Sequence, residues 1–209
     1  MKYTSIFHNE TSENTYLIFD EKTKNGVIID PGCKIEKIQE MIEENEVQVK
    51  YILLTHCHYD HIEALDKIRN EKKSVVISSE NCVKNMTDSV INASLFFGNS
   101  VSFKPADKVI SDNEIIKTSV GDIKCIYTPG HTDCSACFLI NEHLFSGDTL
   151  FKLSIGRCDL KTGNMPEIEK SIREKLYTLD EDIIVHPGHG SDTTIGYEKK
   201  HNLYFKAEK

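Results

Sequence analysis

The sequence predicts a mixed α/β fold, on three observations. Short apolar, β-rich runs recur along the chain, helical apolar spacings are interspersed among them, and turn residues separate the two. Two sheets packed together with helices outside is one arrangement consistent with this, and pattern alone does not choose it over other mixed folds. No repeat, low-complexity segment or Pro/Gly/Ser-rich linker divides the 209 residues, so a single domain over 1–209 is expected.

Tyr16-Leu17-Ile18-Phe19 and Gly26-Val27-Ile28-Ile29 read as strands, the second stopped by Asp30-Pro31-Gly32. Ile35, Ile38, Met41 and Ile42 then mark one face of a helix with acids opposite. Val49 to Leu54 is a buried-type strand that runs into Thr55-His56-Cys57-His58-Tyr59-Asp60-His61, after which Ala64, Leu65 and Ile68 suggest a helix. Val75-Val76-Ile77 is a further strand, followed by a helix with Ser79 as candidate N-cap. Ile115-Ile116 and Ile123 to Tyr127 pair about a turn near Gly121, and Cys137 to Ile140 forms a hairpin with His143 to Phe145. Pro166 suits the first position of a helix carrying Ile168, Ile172 and Leu176. Ile183-Ile184-Val185 is a last strand, with a short helix near Tyr197. The strands read as mainly antiparallel in both halves.

The formal net charge of −8 disfavours general affinity for nucleic acid. No apolar run is long enough to cross a bilayer, and Met1-Lys2-Tyr3-Thr4 does not open a signal peptide. No membrane partner and a cytoplasmic location are therefore expected. The seven cysteines, odd in number and scattered, fit reduced thiols better than a disulfide framework. Cys134 and Cys137 form a C-x-x-C that is read as incidental, because its flanks belong to a strand start.

The chemistry concentrates in the histidines. His56, His58, Asp60 and His61 follow an apolar strand directly, at a sheet edge where side chains converge. In extended backbone His56 and His58 share a side and Cys57 faces away, while Asp60 and His61 can aim at a second point. Imidazole and carboxylate suit zinc, iron or manganese, and two points roughly 3.5–4 Å apart would make a binuclear site. More ligands are needed, and His131, Asp148 and His189 each stand beside a glycine at a strand end or turn. His8, His143 and His201 read as surface or hydrogen-bonded residues, and His186 as structural.

The chain resembles the metallo-β-lactamase-fold hydrolases, within them the short glyoxalase II-like branch. The resemblance rests on Asn14-Thr15-Tyr16-Leu17-Ile18, Val27 to Gly32, Thr55 to His61, Thr128-Pro129-Gly130-His131-Thr132, Phe145 to Phe151, Gly156-Arg157, Pro187-Gly188-His189-Gly190 and Thr193 to Gly196. It implies a four-layer αββα sandwich with two divalent metal ions, zinc first and iron or manganese as alternatives, at one edge. The first metal would take His56, His58 and His131, the second Asp60, His61 and His189, with Asp148 bridging. Asp60 would orient the attacking water and relay its proton, and Asp30, Thr55 and Thr132 would support the ligands.

The substrate implied is a small acyl thioester. Larger glyoxalase II enzymes hold glutathione with a C-terminal helical region, which is not expected in this sequence after His189. Cys134 and Cys158 stand where family members often carry Gly and Thr, and are expected near the pocket. Arg157 offers either an anionic contact or a structural salt bridge. Mononuclear-iron persulfide dioxygenase activity is the alternative, since counterparts of His56, His131 and Asp148 hold iron there. A β-lactamase or other ester or amide hydrolase of the same fold is a further one. The sequence leaves the oligomeric state open.

Overall fold

Both faces of the second strand are apolar, so it must be covered on both sides. Tyr16 and Ile18 point one way and Leu17 and Phe19 the other, and all four are buried. A computed structural model, describing residues 1–8 and 10–206, shows what covers them.

The first sheet contains β1 (Lys2–Phe7), β2 (Asn14–Phe19), β3 (Asn25–Ile29), β4 (Gln48–Leu53), β5 (Val75–Ser78) and β6 (Lys108–Val109), in that spatial order. The second contains β7 (Ile115–Thr118), β8 (Gly121–Tyr127), β9 (Ala136–Ile140), β10 (His143–Gly147), β13 (Ile184–Pro187) and β14 (Thr193–Thr194), in the order β14-β13-β10-β9-β8-β7. A short hairpin of β11 (Leu150–Phe151) and β12 (Ser154–Ile155) lies between β10 and β13 in the chain.

Three apolar clusters define the layers. Tyr16, Ile18, Val27 and Ile29 of the first sheet meet Ile123, Phe138, Ile140 and Phe145 of the second. The opposite face of the first sheet, with Leu17, Ile28 and Ile52, packs on α1 (Ile35–Glu44), α3 (Leu65–Lys72) and α4 (Glu80–Asn85). The opposite face of the second sheet, with Ile126, Leu144 and Val185, packs on α5 (Met165–Lys170), its continuation Ser171–Leu176, and α6 (Ile195–His201). The result is the expected αββα sandwich. A one-turn α2 (Tyr59–Ile62) and a 3₁₀ turn (Ser94–Phe97) sit at its edge.

Several details depart from the sequence reading. β3 to β6 run parallel, as do β10 and β13, because crossovers through helices link them. The apolar run Tyr51-Ile52-Leu53 of β4 was the signal, since doubly covered strands lose alternation. Pro166 is the second helical residue. Asn164 caps that helix through its side chain, which accepts from the Glu167 amide at 3.2 Å. Ser79 occupies the N-cap of α4, but its hydroxyl donates instead to the Cys134 carbonyl at 2.6 Å. No helix among the described residues is long and apolar enough to cross a membrane.

Candidate metal centre

β4 delivers the His/Asp loop to the sandwich edge. Extended backbone through His58 places His56 and His58 on one side, with His56 Nε2 3.1 Å from His58 Nδ1. Cys57 faces the outer apolar layer, where its sulfur lies 3.8 Å from that of Cys134. Asp60 and His61 enter α2 and turn toward a second point.

The remaining residues arrive from the second sheet. His131 follows β8 and brings its Nε2 to 2.9 Å from His58 Nδ1. His189 follows β13 and brings its Nε2 to 3.2 Å from His61 Nε2 and 3.4 Å from Asp60 Oδ2. Asp148, just after β10, stands between the groups. Its Oδ1 is 3.3 Å from His61 Nε2, and its Oδ2 is 3.5 Å from His131 Nε2 and 3.6 Å from His189 Nε2. Such proximity needs glycine at two places. A Cβ on Gly188 would lie 2.3 Å from Asp148 Oδ1, and one on Gly147 would lie 2.3 Å from Thr55 Oγ1. All seven residues expected from the sequence are thus brought to one place.

The outer hydrogen bonds fix the rings. His61 Nδ1 donates to Asp30 Oδ2 at 2.9 Å, His131 Nδ1 to the Arg157 carbonyl at 2.7 Å, and His189 Nδ1 to the Thr11 carbonyl at 2.9 Å. Because a carbonyl or carboxylate can only accept, each ring donates from Nδ1, and its neutral form turns a bare Nε2 inward. Thr55 Oγ1 donates to Asp30 Oδ2 at 2.5 Å and accepts from His56 Nδ1 at 3.1 Å, so His56 Nε2 is bare too. Asp30, held at φ 50, also accepts from the Thr55 amide at 2.8 Å.

The expected supporting roles of Asp30 and Thr55 are therefore in place. Thr132 is a correction: its hydroxyl contacts Ser135 Oγ at 2.7 Å and Cys134 Sγ at 3.3 Å, which holds the following turn rather than a candidate ligand. The Thr11 and Arg157 carbonyls take its place. Every residue has a carbonyl, so no sequence signal marks these two.

Bare nitrogens meeting at about 3 Å repel unless something positive lies among them. Tetrahedral coordination at about 2.0–2.1 Å from a metal places its ligand atoms roughly 3.3 Å apart, close to the separations found. Asp148 Oδ1 is buried without a hydrogen-bond partner, although His61 Nε2 lies 3.3 Å away. The donor set fits two cations, one within His56, His58 and His131 and one within Asp60, His61 and His189.

The electrostatics agree. Burial, then His61, His58 and His131, holds His56 well below the ordinary imidazole range. Burial and His131 push His58 down to about 4. Against burial, Asp148 raises His61 well above its ordinary value, and Asp148 and Asp60 raise His189. Against burial again, His61 and His189 hold Asp148 well below the usual carboxylate range. In the absence of metal, protons on His61 and His189 stand in for positive charge that the carboxylates demand.

His8, His143, His186 and His201 lie outside this constellation. His8 is buried and accepts amide protons from Glu10 and Thr11, and His143 stacks on His186 with centroids 5.1 Å apart. His201 packs on Tyr197. Cys134 lies near the site, beneath the ligand loop with Cys57 and Cys82, but is not part of the cavity lining. Cys137 belongs to the layer on the far side of the second sheet, so the C-x-x-C sulfurs face different layers. Cys158 is half-buried in a neighbouring depression with Arg157.

A cavity of about 520 Å³ opens onto the centre, and its lining includes His58, Asp60 and Asp148 together with Phe96, Phe97 and Phe151. Arg157 also lines it, and donates from Nε and Nη2, one edge of its guanidinium, to Asp159 at 2.7 Å.

Residues 8–189 match the metallo-beta-lactamase superfamily. The chain is 36% identical to hydroxyacylglutathione hydrolase GloC of Haemophilus influenzae over 200 residues, 94% of each protein. Its structure is similar to that of the BLEG-1 B3 metallo-beta-lactamase, with TM-score 0.91 and 32% identity over 98% of this chain and 100% of that one. It is also similar to TTHA1623, solved in a di-iron-bound form, with TM-score 0.85 and 26% identity over 97% of this chain and 100% of that one.

Proposed function

The chain belongs to the metallo-beta-lactamase superfamily as a metallo-hydrolase, and from that premise we propose that it hydrolyses small acyl thioesters at a binuclear metal centre. The observation that carries the proposal is the pair of clusters sharing Asp148, with bare ring nitrogens turned inward. His56, His58 and His131 would hold one divalent ion, and Asp60, His61 and His189 the other. Zinc is the first choice, with iron or manganese accommodated by the same donors. Bound there, the ions supply a water of lowered pKa and polarisation of the substrate carbonyl.

The protein's own residues do the rest. Asp148 neutralises charge on both sides of the centre. Asp60, held ionised with its Oδ2 toward His189, is placed to orient the attacking water and take its proton. Asp30 and Thr55 keep His61 and His56 in the required tautomers. A thioester suits this arrangement because its carbonyl is electrophilic and a thiolate departs without a strong general acid. Among the described residues lining the cavity, Arg157 is the one Lys or Arg side chain, so a single cationic group, one edge of it engaged by Asp159, faces the two carboxylates of glutathione. Hydroxyacylglutathione hydrolysis is therefore expected without strong preference for glutathione.

Anaerobic assay of the metal-loaded protein tests this, comparing S-lactoylglutathione with acyl thioesters of other small thiols. Turnover of both classes within about a hundredfold in kcat/KM, or roughly 2.7 kcal/mol, is the expected result. Absence of thioester turnover, with oxygen consumed on a persulfide in air, would transfer the protein to the dioxygenase class.

A further inference from the structure

Phe96 and Phe97 are 73% and 46% exposed, yet both line the cavity that opens on the metal centre. Exposed aromatics side by side need a reason, and here the surrounding chain is built to hold them. Asn92 is fully buried; its Nδ2 donates to the Met86 and Val101 carbonyls at 3.0 and 2.9 Å, and its Oδ1 accepts from the Ser94 amide at 2.9 Å. That bracket holds Ala93 at φ 61, a left-handed conformation that residues with a Cβ avoid. The strained turn launches the 3₁₀ segment Ser94–Phe97 toward the cavity.

The segment is also tied to the ligand loop. The Tyr59 amide donates to the Asn92 carbonyl at 2.7 Å, the Tyr59 ring lies 5.4 Å from that of Phe97, and Asn99 donates to the Tyr59 hydroxyl at 3.3 Å. Tyr59 immediately precedes Asp60, so the aromatic wall and the reacting centre share one anchor. Phe151, Ile155 and Leu160 contribute apolar surface to the same cavity.

We infer that this cavity selects acyl thioesters whose acyl chain is apolar and several methylenes long, with Phe96 and Phe97 as specificity-determining residues. The inference rests on the thioester reading and names its substrate class. The carbonyl has to reach the centre near Asp60 and Asp148, and apart from the candidate ligands, Ser154 and Arg157, the chain attached to it then meets phenyl rings and aliphatic side chains. A charged acyl group would lose solvation against those rings, with Arg157 the one Lys or Arg on the lining and one of its edges held by Asp159. Each buried methylene contributes about 0.8 kcal/mol, or about a fourfold gain per methylene at full burial.

The test uses acetyl, butyryl and hexanoyl thioesters of one thiol, N-acetylcysteamine, with the metal-loaded protein. kcat/KM is expected to rise at least tenfold from acetyl to hexanoyl. In Phe96→Ala/Phe97→Ala the hexanoyl-to-acetyl ratio is expected to fall at least fivefold, with metal content and circular dichroism retained. Calorimetry with hexanoate and acetate reads the same wall without turnover: hexanoate should bind at least fivefold tighter, and the double variant should lose that preference. A flat series with thioesters turned over would overturn the inference and leave the thioester reading standing. Turnover of no thioester would overturn that reading, and equal binding of the two carboxylates would overturn the apolar wall itself. A wild-type dimer in sedimentation that becomes monomeric in the double variant, with the ratio unchanged, would assign the two rings to a second copy of the chain and overturn the inference.

Discussion

Asp148 touches both histidine groups, and its loss should therefore not be local. Asp148→Ala is expected to lower occupancy at both metal positions by more than half and to remove most activity, whereas His189→Ala empties mainly the second. Metal analysis of the two variants distinguishes these outcomes, and retention of both metals in Asp148→Ala would contradict a bridge. Acid acts on the same residues. His58 has a folded pKa of about 4 against 6.5 ordinarily, so the unfolded chain binds more protons between those values. Its contribution to stability is complete above about 6.5 and declines as pH falls toward 4. His61 and His189, raised rather than lowered, act oppositely in the metal-free protein. Metal ions and protons compete for all of these rings. Bound metal, measured after equilibration at stepped pH, should fall first from the position of His61 and His189, which hold protons more tightly than ordinary imidazoles, and from that of His58 only as pH approaches 4. The candidate ligands were legible in the sequence because a dense His/Asp loop and three glycine-flanked partners are rare together. The Thr11 and Arg157 carbonyls that orient two of them were not, since backbone acceptors carry no residue signature.

At the scale of elements, strand ends bring the candidate ligands together and glycines set how close they come. Gly188→Ala would drive a methyl into Asp148 Oδ1 and to within 2.7 Å of His61 Cε1. Overpacking of this kind costs about 1–3 kcal/mol. The expected outcome is a lowered Tm and loss of metal with native circular dichroism, and unchanged metal content would show that the strand ends are looser than the distances imply. Central strands and helices were readable from apolar periodicity, as β2, β3, β4 and α1 illustrate. The edge strand β1 was not, because Lys2, Thr4 and Ser5 weaken its pattern, and neither were the two-residue strands β6, β11, β12 and β14. Parallel pairing of β3 to β6 depends on helical crossovers, which local pattern does not report. The aromatic segment at Ser94–Phe97 follows from side-chain-to-backbone hydrogen bonds of Asn92 to Met86 and Val101, which apolar periodicity does not report.

For the whole molecule, two sheets back to back leave their strand ends along common edges, and one edge gathers ligands from both. His56, His58, Asp60 and His61 come from the first sheet's loop, and His131, Asp148 and His189 from the second. Neither sheet alone supplies a complete donor set, so the proposed centre also joins the sheets, and metal removal should lower stability as well as activity. Elemental analysis of purified protein, reconstituted with excess zinc and then freed of unbound metal, tests the binuclear proposal most directly. The account predicts a value approaching two transition-metal ions per chain, and a reproducible value near one would contradict it.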